Sequence, residues 1–149
     1  MEPSRIVHRK DWMRVLARAK VSDIATLLQK LPPLPADEQV RPAETGTVMV
    51  EGRAGGSGER FNLGEATVTR CVVRIGEHLG FSYALGRDRE QARLAAKLDA
   101  LLQDENRREE LLEAVVVPLA NAQQEARERA SRKAAATKVD FFTLVRGDE

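Results

Sequence analysis

Residues Ala43–Ile75 read A-E-T-G-T-V-M-V-E-G-R-A-G-G-S-G-E-R-F-N-L-G-E-A-T-V-T-R-C-V-V-R-I, and this stretch decides the fold. Two β-type runs, Thr45–Arg53 and Glu65–Ile75, flank a turn that carries Gly55, Gly56 and Gly58, with Gly64 beyond it. In the first run Gly46, Val48 and Val50 point one way and Thr47, Met49 and Glu51 the other, since successive strand side chains alternate between faces. Valine and threonine dominate the second run, and both suit a pleated, half-buried surface. An antiparallel pair with a long glycine-bearing connection follows.

Working outward, Gly76–His78 reads as a turn and Leu79–Arg87 as a third strand. Leu79, Phe81, Tyr83 and Leu85 alternate there with Gly80, Ser82, Ala84 and Gly86, so one face is large and the other small. The small face suits close approach by a helix, a second sheet or a neighbouring subunit. Asp88 caps a helix, with Gln91 three residues on, and Leu94, Ala95, Leu98, Leu101 and Leu102 form its buried stripe. A polar stretch, Gln103–Glu110, leads to Leu111, Leu112, Val115 and Val116, and Pro118 is expected to close that segment. An Ala-rich helix over Leu119–Thr137 comes next. Lys138–Arg146, K-V-D-F-F-T-L-V-R, reads as a C-terminal strand with apolar groups on both faces, and Val139, Phe141, Phe142 and Leu144 are its candidate interface residues.

Upstream, Trp12, Val15, Leu16 and Ala19 share one helix face, and Ile24, Leu27, Leu28 and Leu31 another, with Ser22 as the expected cap of the second helix. The prolines of Leu31-Pro32-Pro33-Leu34-Pro35 end that helix and form an extended connector. The expected fold is α+β. An antiparallel sheet of about four strands carries an N-terminal helical hairpin and C-terminal helices. One domain spans residues 1–149: hairpin 1–31, strands 39–87, helices 88–137 and C-terminal strand 138–146.

Composition narrows the function. The 149 residues are 42% hydrophobic but only 4% aromatic, so the core is aliphatic. Lys plus Arg (24) nearly cancel Asp plus Glu (23), leaving +1, which argues against nucleic acid or a membrane surface as partner. The paired N-terminal helices could pass for a helix-turn-helix, but no basic surface beside them would hold phosphates. Cys71 is alone, so a reducing compartment fits, and it has no histidine nearby to make a nucleophile pair. No stretch has the length of a signal peptide's apolar run or of a membrane span, and a soluble cytoplasmic protein is expected. His8 and His78 lack ligand spacing, and no metal site is expected.

The glycine turn is the sharpest candidate site. Successive glycines let backbone N–H groups converge on an anion, and Arg53 and Arg60 flank them. Neither a P-loop nor a dinucleotide fingerprint is present, because no lysine follows the glycines and no helix opens after them. Arg53, Gly55, Gly56, Gly58, Arg60 and Arg70 are therefore candidates for ligand or partner contact, with no catalytic residue assigned. A structural turn, with Arg70 and Arg74 solvated or paired to Glu44, Glu51, Glu59 or Glu65, is the plainer account.

Three blocks go further: Ala43–Gly46, Gly55–Arg70, and the ending Val139-Asp140-Phe141-Phe142-Thr143-Leu144-Val145-Arg146-Gly147-Asp148. With the Trp12-Met13-x-Val15-Leu16-Ala17 run and Gly86-Arg87-Asp88, they resemble the PhnG family, the small G subunit of the carbon–phosphorus lyase system for phosphonate use. The resemblance implies a core complex with the H, I and J subunits (PhnH, PhnI and PhnJ), helped functionally by PhnL. It implies transfer of the ribose triphosphate part of ATP to a phosphonate such as methylphosphonate, with release of adenine. The chemistry would fall chiefly to the I subunit, leaving this chain a structural or accessory role and no cofactor of its own, ATP being a substrate of the complex. Self-association is a further expectation. A free-standing phosphate-ligand enzyme built on Gly55–Arg60 is the alternative.

Overall fold

The alternation around the glycine turn becomes two long strands, β1 (Glu38–Arg53) and β2 (Arg60–Ile75), paired antiparallel. The structure, a computed structural model, describes residues 6–146, with side chains described for residues 6–137. β3 (His78–Leu85) returns along β2 after the Gly76-Glu77 turn, giving a sheet of order β1-β2-β3. The first strand begins upstream of its expected start and runs through Pro42, with register shifts between Gln39 and Arg41 and between Arg41 and Glu44. Proline is tolerated there because β1 is an edge strand and the ladder is already irregular.

The helices are α1 (Arg9–Arg18), α2 (Val21–Leu28), α3 (Arg89–Leu102), α4 (Glu105–Leu111) and α5 (Val117–Arg146). The central one is α3, buried on two sides. Toward the sheet it presents Ala92, Ala96 and Ala100 to Cys71 and Val73. The small face of β3 admits it: Gly80, Ser82 and Ala84 are buried while Phe81, Tyr83 and Leu85 are exposed. A Cβ on Gly80 would overlap the carbonyl oxygen of Ala96, and Ser82 Oγ donates to the Ala92 carbonyl at 2.6 Å. Away from the sheet, Ala95, Leu98, Leu101 and Leu102 meet Trp12, Leu16, Ile24, Val115 and Val116 in the main core.

Asp88 accepts from the Gln91 N–H at 3.0 Å, as a cap should. The Gln91 side chain, however, donates to the Leu16 carbonyl at 2.7 Å and so ties α3 to α1. Asp99, fully buried on α3, gathers α1 and β3. Its carboxylate accepts from Arg9 Nη2 at 2.7 Å, Arg9 Nε at 3.1 Å, Trp12 Nε1 at 2.8 Å and the Phe81 N–H at 2.9 Å. That hydrogen-bonded carboxylate raises the Arg9 guanidinium above its ordinary value, outweighing the lowering effect of burial.

Three expectations need correction. Residues 138–146, expected as a strand, are the end of α5, so among the described residues the sheet has three strands rather than about four. No glycine or proline interrupts the chain between Leu119 and Arg146, and adding a residue to an existing helix is far easier than nucleating a new element. Pro118 does not close its segment either. A π turn over Leu112–Val116, in which the Val117 N–H reaches the Leu112 carbonyl, precedes it, and the helix runs on from α4 through α5. Finally, α2 starts at Val21 with Lys20 as its cap residue, two residues ahead of Ser22.

Two substitutions measure these contacts. Gly80→Ala should lower stability by roughly 1–3 kcal/mol through overpacking against α3, read as a fall in melting temperature. Gly46→Ala, where a Cβ meets nothing within 4 Å, serves as the near-neutral control. Asp99→Ala should cost roughly 1–3 kcal/mol for each buried donor left without an acceptor, and a denaturation midpoint unchanged from wild type would contradict that role.

Candidate interaction surface

The glycine turn forms the tip of a two-stranded arm. Ala54–Gly56 make one 3₁₀ turn, with Gly55 and Gly56 at φ values of 63° and 81° that glycine adopts without strain. Two amides at the tip are used locally: the Gly58 N–H donates to the Ala54 carbonyl at 2.8 Å, and the Ala54 N–H to the Glu59 carbonyl at 3.4 Å. Arg53 and Arg60 are register partners across the tip, and Arg60 Nη1 lies 3.9 Å from Glu51. Arg53, Gly55, Gly56, Gly58 and Arg60 are all exposed.

Arg70 is not beside them. It lies ten residues further along β2, roughly 30 Å away at strand rise, opposite Glu44 on β1 and Tyr83 on β3. Its Nε is 3.6 Å from a Glu44 oxygen, which also lies 3.7 Å from Arg41 Nε. Arg74 pairs with Glu38 at 3.7 Å in the same way. These half-exposed cross-strand pairs contribute little to stability each, but they fix where charge sits on the sheet. The candidate contact residues thus divide into a tip and a mid-sheet group. The side chains of Val139, Phe141, Phe142 and Leu144 lie outside the described residues.

The sheet face turned away from α3 carries Val48, Val68, Val72, Phe81, Tyr83 and Leu85 beside Arg70. Leu85 is 78% exposed, and beyond β3 the arm leaves Met49, Val50, Phe61 and Leu63 open as well. A two-stranded ribbon with uncovered apolar groups is a marginal structure in water. At the middle of this face lies a hollow of about 200 Å³, opened by the missing side chain of Gly46. Val68 is its floor; Glu44, Val48, Arg70 and Tyr83 are its walls. Sequence reading missed this grouping, although a glycine inside an alternating strand is the signal for it.

A match to the family model described as phosphonate metabolism protein PhnG covers residues 7–147. The chain belongs to that family. A relative from Rhizobium meliloti (strain 1021), 41% identical over 145 residues that span 97% of this chain and 92% of that protein, is the alpha-D-ribose 1-methylphosphonate 5-triphosphate synthase subunit PhnG. The resemblance therefore extends over almost the whole chain. Among the described residues no helix is long and apolar enough to cross a membrane.

Cys71 is fully buried under α3, as its place in the strand pattern implies. Burial pushes its thiol up, Asp37 adds to the effect, and Arg93 opposes it. His8 is exposed and leads into α1, where its N–H meets Asp11 Oδ2 at 3.3 Å, while His78 is half-buried at the start of β3. Because the thiolate is the reactive form, Cys71 should resist a disulfide reagent in the native chain at pH 8 and react at once in denaturant. A rapid stoichiometric reaction before unfolding would show the α3–sheet contact to be open.

Proposed function

We propose that this chain is a subunit of the complex that makes alpha-D-ribose 1-methylphosphonate 5-triphosphate. In it the ribose triphosphate part of ATP passes to a phosphonate and adenine leaves. The observation that carries the reading is the 41% identity to a synthase subunit over 97% of the chain. The uncovered sheet face and arm support it, because a subunit that works inside a complex needs apolar surface to bury. The role is structural or accessory, for Arg70 in the mid-sheet hollow is already engaged by Glu44, and the Ala54 and Gly58 amides are spent within the tip turn. The partners of this reading are the I, H and J subunits, with the L protein acting functionally, in the cytoplasm. ATP is the complex's substrate, and the chain brings no cofactor of its own.

The test is reconstitution. Co-expressed with the H, I and J subunits and the L protein, the chain should co-purify as one species and support adenine release from ATP plus methylphosphonate. Leaving this chain out should abolish that release. Equal turnover without it, or a well-behaved monomer that ignores the other subunits, would overturn the subunit reading.

A further inference from the structure

The free edge of β1 and the hollow beside it form one surface. On β3 the Phe81 N–H and the Leu79 carbonyl turn away from β2, toward Asp99, Arg9 and Gln103. Antiparallel geometry then fixes the rest of the sheet. Val72, opposite Phe81, bonds toward β1, and so do Arg70 and Val68, whose partners are Glu44 and Gly46. The N–H and C=O groups of Thr45, Thr47 and Met49 consequently point off the edge of the sheet, where no strand pairs with them among the described residues. This part of the edge is regular, while register shifts lie on both sides of it, between Arg41 and Glu44 and between Val50 and Glu51. Thr45–Val50 carry no charge. An unpaired, uncharged, regular edge is a template for another strand.

We propose that the Glu44–Val50 edge takes an extended segment of another subunit of the complex as an added strand, with an acidic side chain of that segment entering the hollow over Gly46. The proposal rests on the subunit reading. Backbone bonds to Thr45, Thr47 and Met49 supply the attachment, and the hollow supplies selectivity, the usual division in strand addition. The chemistry of the walls selects the side chain. Arg70 in the wall and Arg41 outside the lining share the one carboxylate of Glu44, at 3.6 and 3.7 Å, so the cluster at the rim of the hollow holds an excess positive charge. A second carboxylate would balance it.

A second copy of this chain fits the same edge less well. Centring on Thr45 would keep only Glu44–Gly46 of the regular run paired, so antiparallel two-fold pairing through the outward groups is left to centre on Gly46, Thr47 or Val48. These registers set Gly46, Val48 or Val50 of the other copy opposite Gly46. None brings a polar group to the hollow, so its charged wall would be covered and left unanswered.

Hydrogen exchange on the reconstituted complex tests this directly. The amides of Thr45, Thr47 and Met49 should exchange freely in the isolated chain and slow by about a hundredfold or more in the complex, as buried ladder amides do. Thr47→Pro removes an N–H that β2 does not use, so the isolated variant should melt like wild type yet assemble at least about tenfold more weakly. Arg70→Gln should weaken assembly in the same direction. Fast exchange at all three amides in a complex that still forms and releases adenine would overturn strand addition and leave the subunit reading standing. So would protection that appears in the isolated chain together with a dimer mass by light scattering. An Arg70→Gln effect with no Thr47→Pro effect would also overturn it, marking the hollow as a site for a small anion instead. Failure of wild type to assemble or to support turnover would sink the subunit reading itself.

Discussion

The Asp99 carboxylate holds the three parts of this fold in place. It is fully buried, and a buried charge without partners would be prohibitively costly, so its position on α3 demands donors from elsewhere. Two come from α1, Arg9 and Trp12, and one from the backbone of β3 at Phe81. The same arginine donates to the Leu79 carbonyl and stacks 5.5 Å above the Phe81 ring, closing the end of the β3 edge that the sheet leaves unpaired. One polar group thus sets the angle between helix and sheet and also protects part of an edge strand. Apolar packing by itself fixes such angles poorly, because it is non-directional.

Around that keystone the packing is asymmetric. The inner sheet face is made of small residues, and α3 answers with alanines, so helix and strand backbones approach closely enough to exclude any Cβ at Gly80. Large aliphatic groups are reserved for the opposite side of α3, where the N-terminal helices and the Leu111–Ala120 segment bury them. The large residues of β3 are therefore turned outward. A strand whose bulky face is exposed and whose small face is buried inverts the ordinary arrangement, and it is intelligible when the bulky face meets another subunit. The arm beyond β3, apolar and uncovered on both sides, belongs to the same surface.

The division between sequence and tertiary structure follows the range of the interactions. Strand alternation, the glycine turn, the Asp88 cap, the proline connector and the small-versus-large faces of β3 are local patterns, and the sequence by itself determined them. Family membership was also legible, because the glycine block and the C-terminal motif are specific strings. Tertiary structure decided what no local pattern carries. The alternation of residues 138–146 was overridden by a helix already propagating from Val117. Arg70 was parted from the tip glycines because ten residues of extended β2 separate it from Arg60 at the tip, and it was joined to Glu44 and Tyr83 by register. Asp99 became the keystone only when chain segments about ninety residues apart met, since a lone acidic residue in a helical stripe has no sequence mark until its donors arrive.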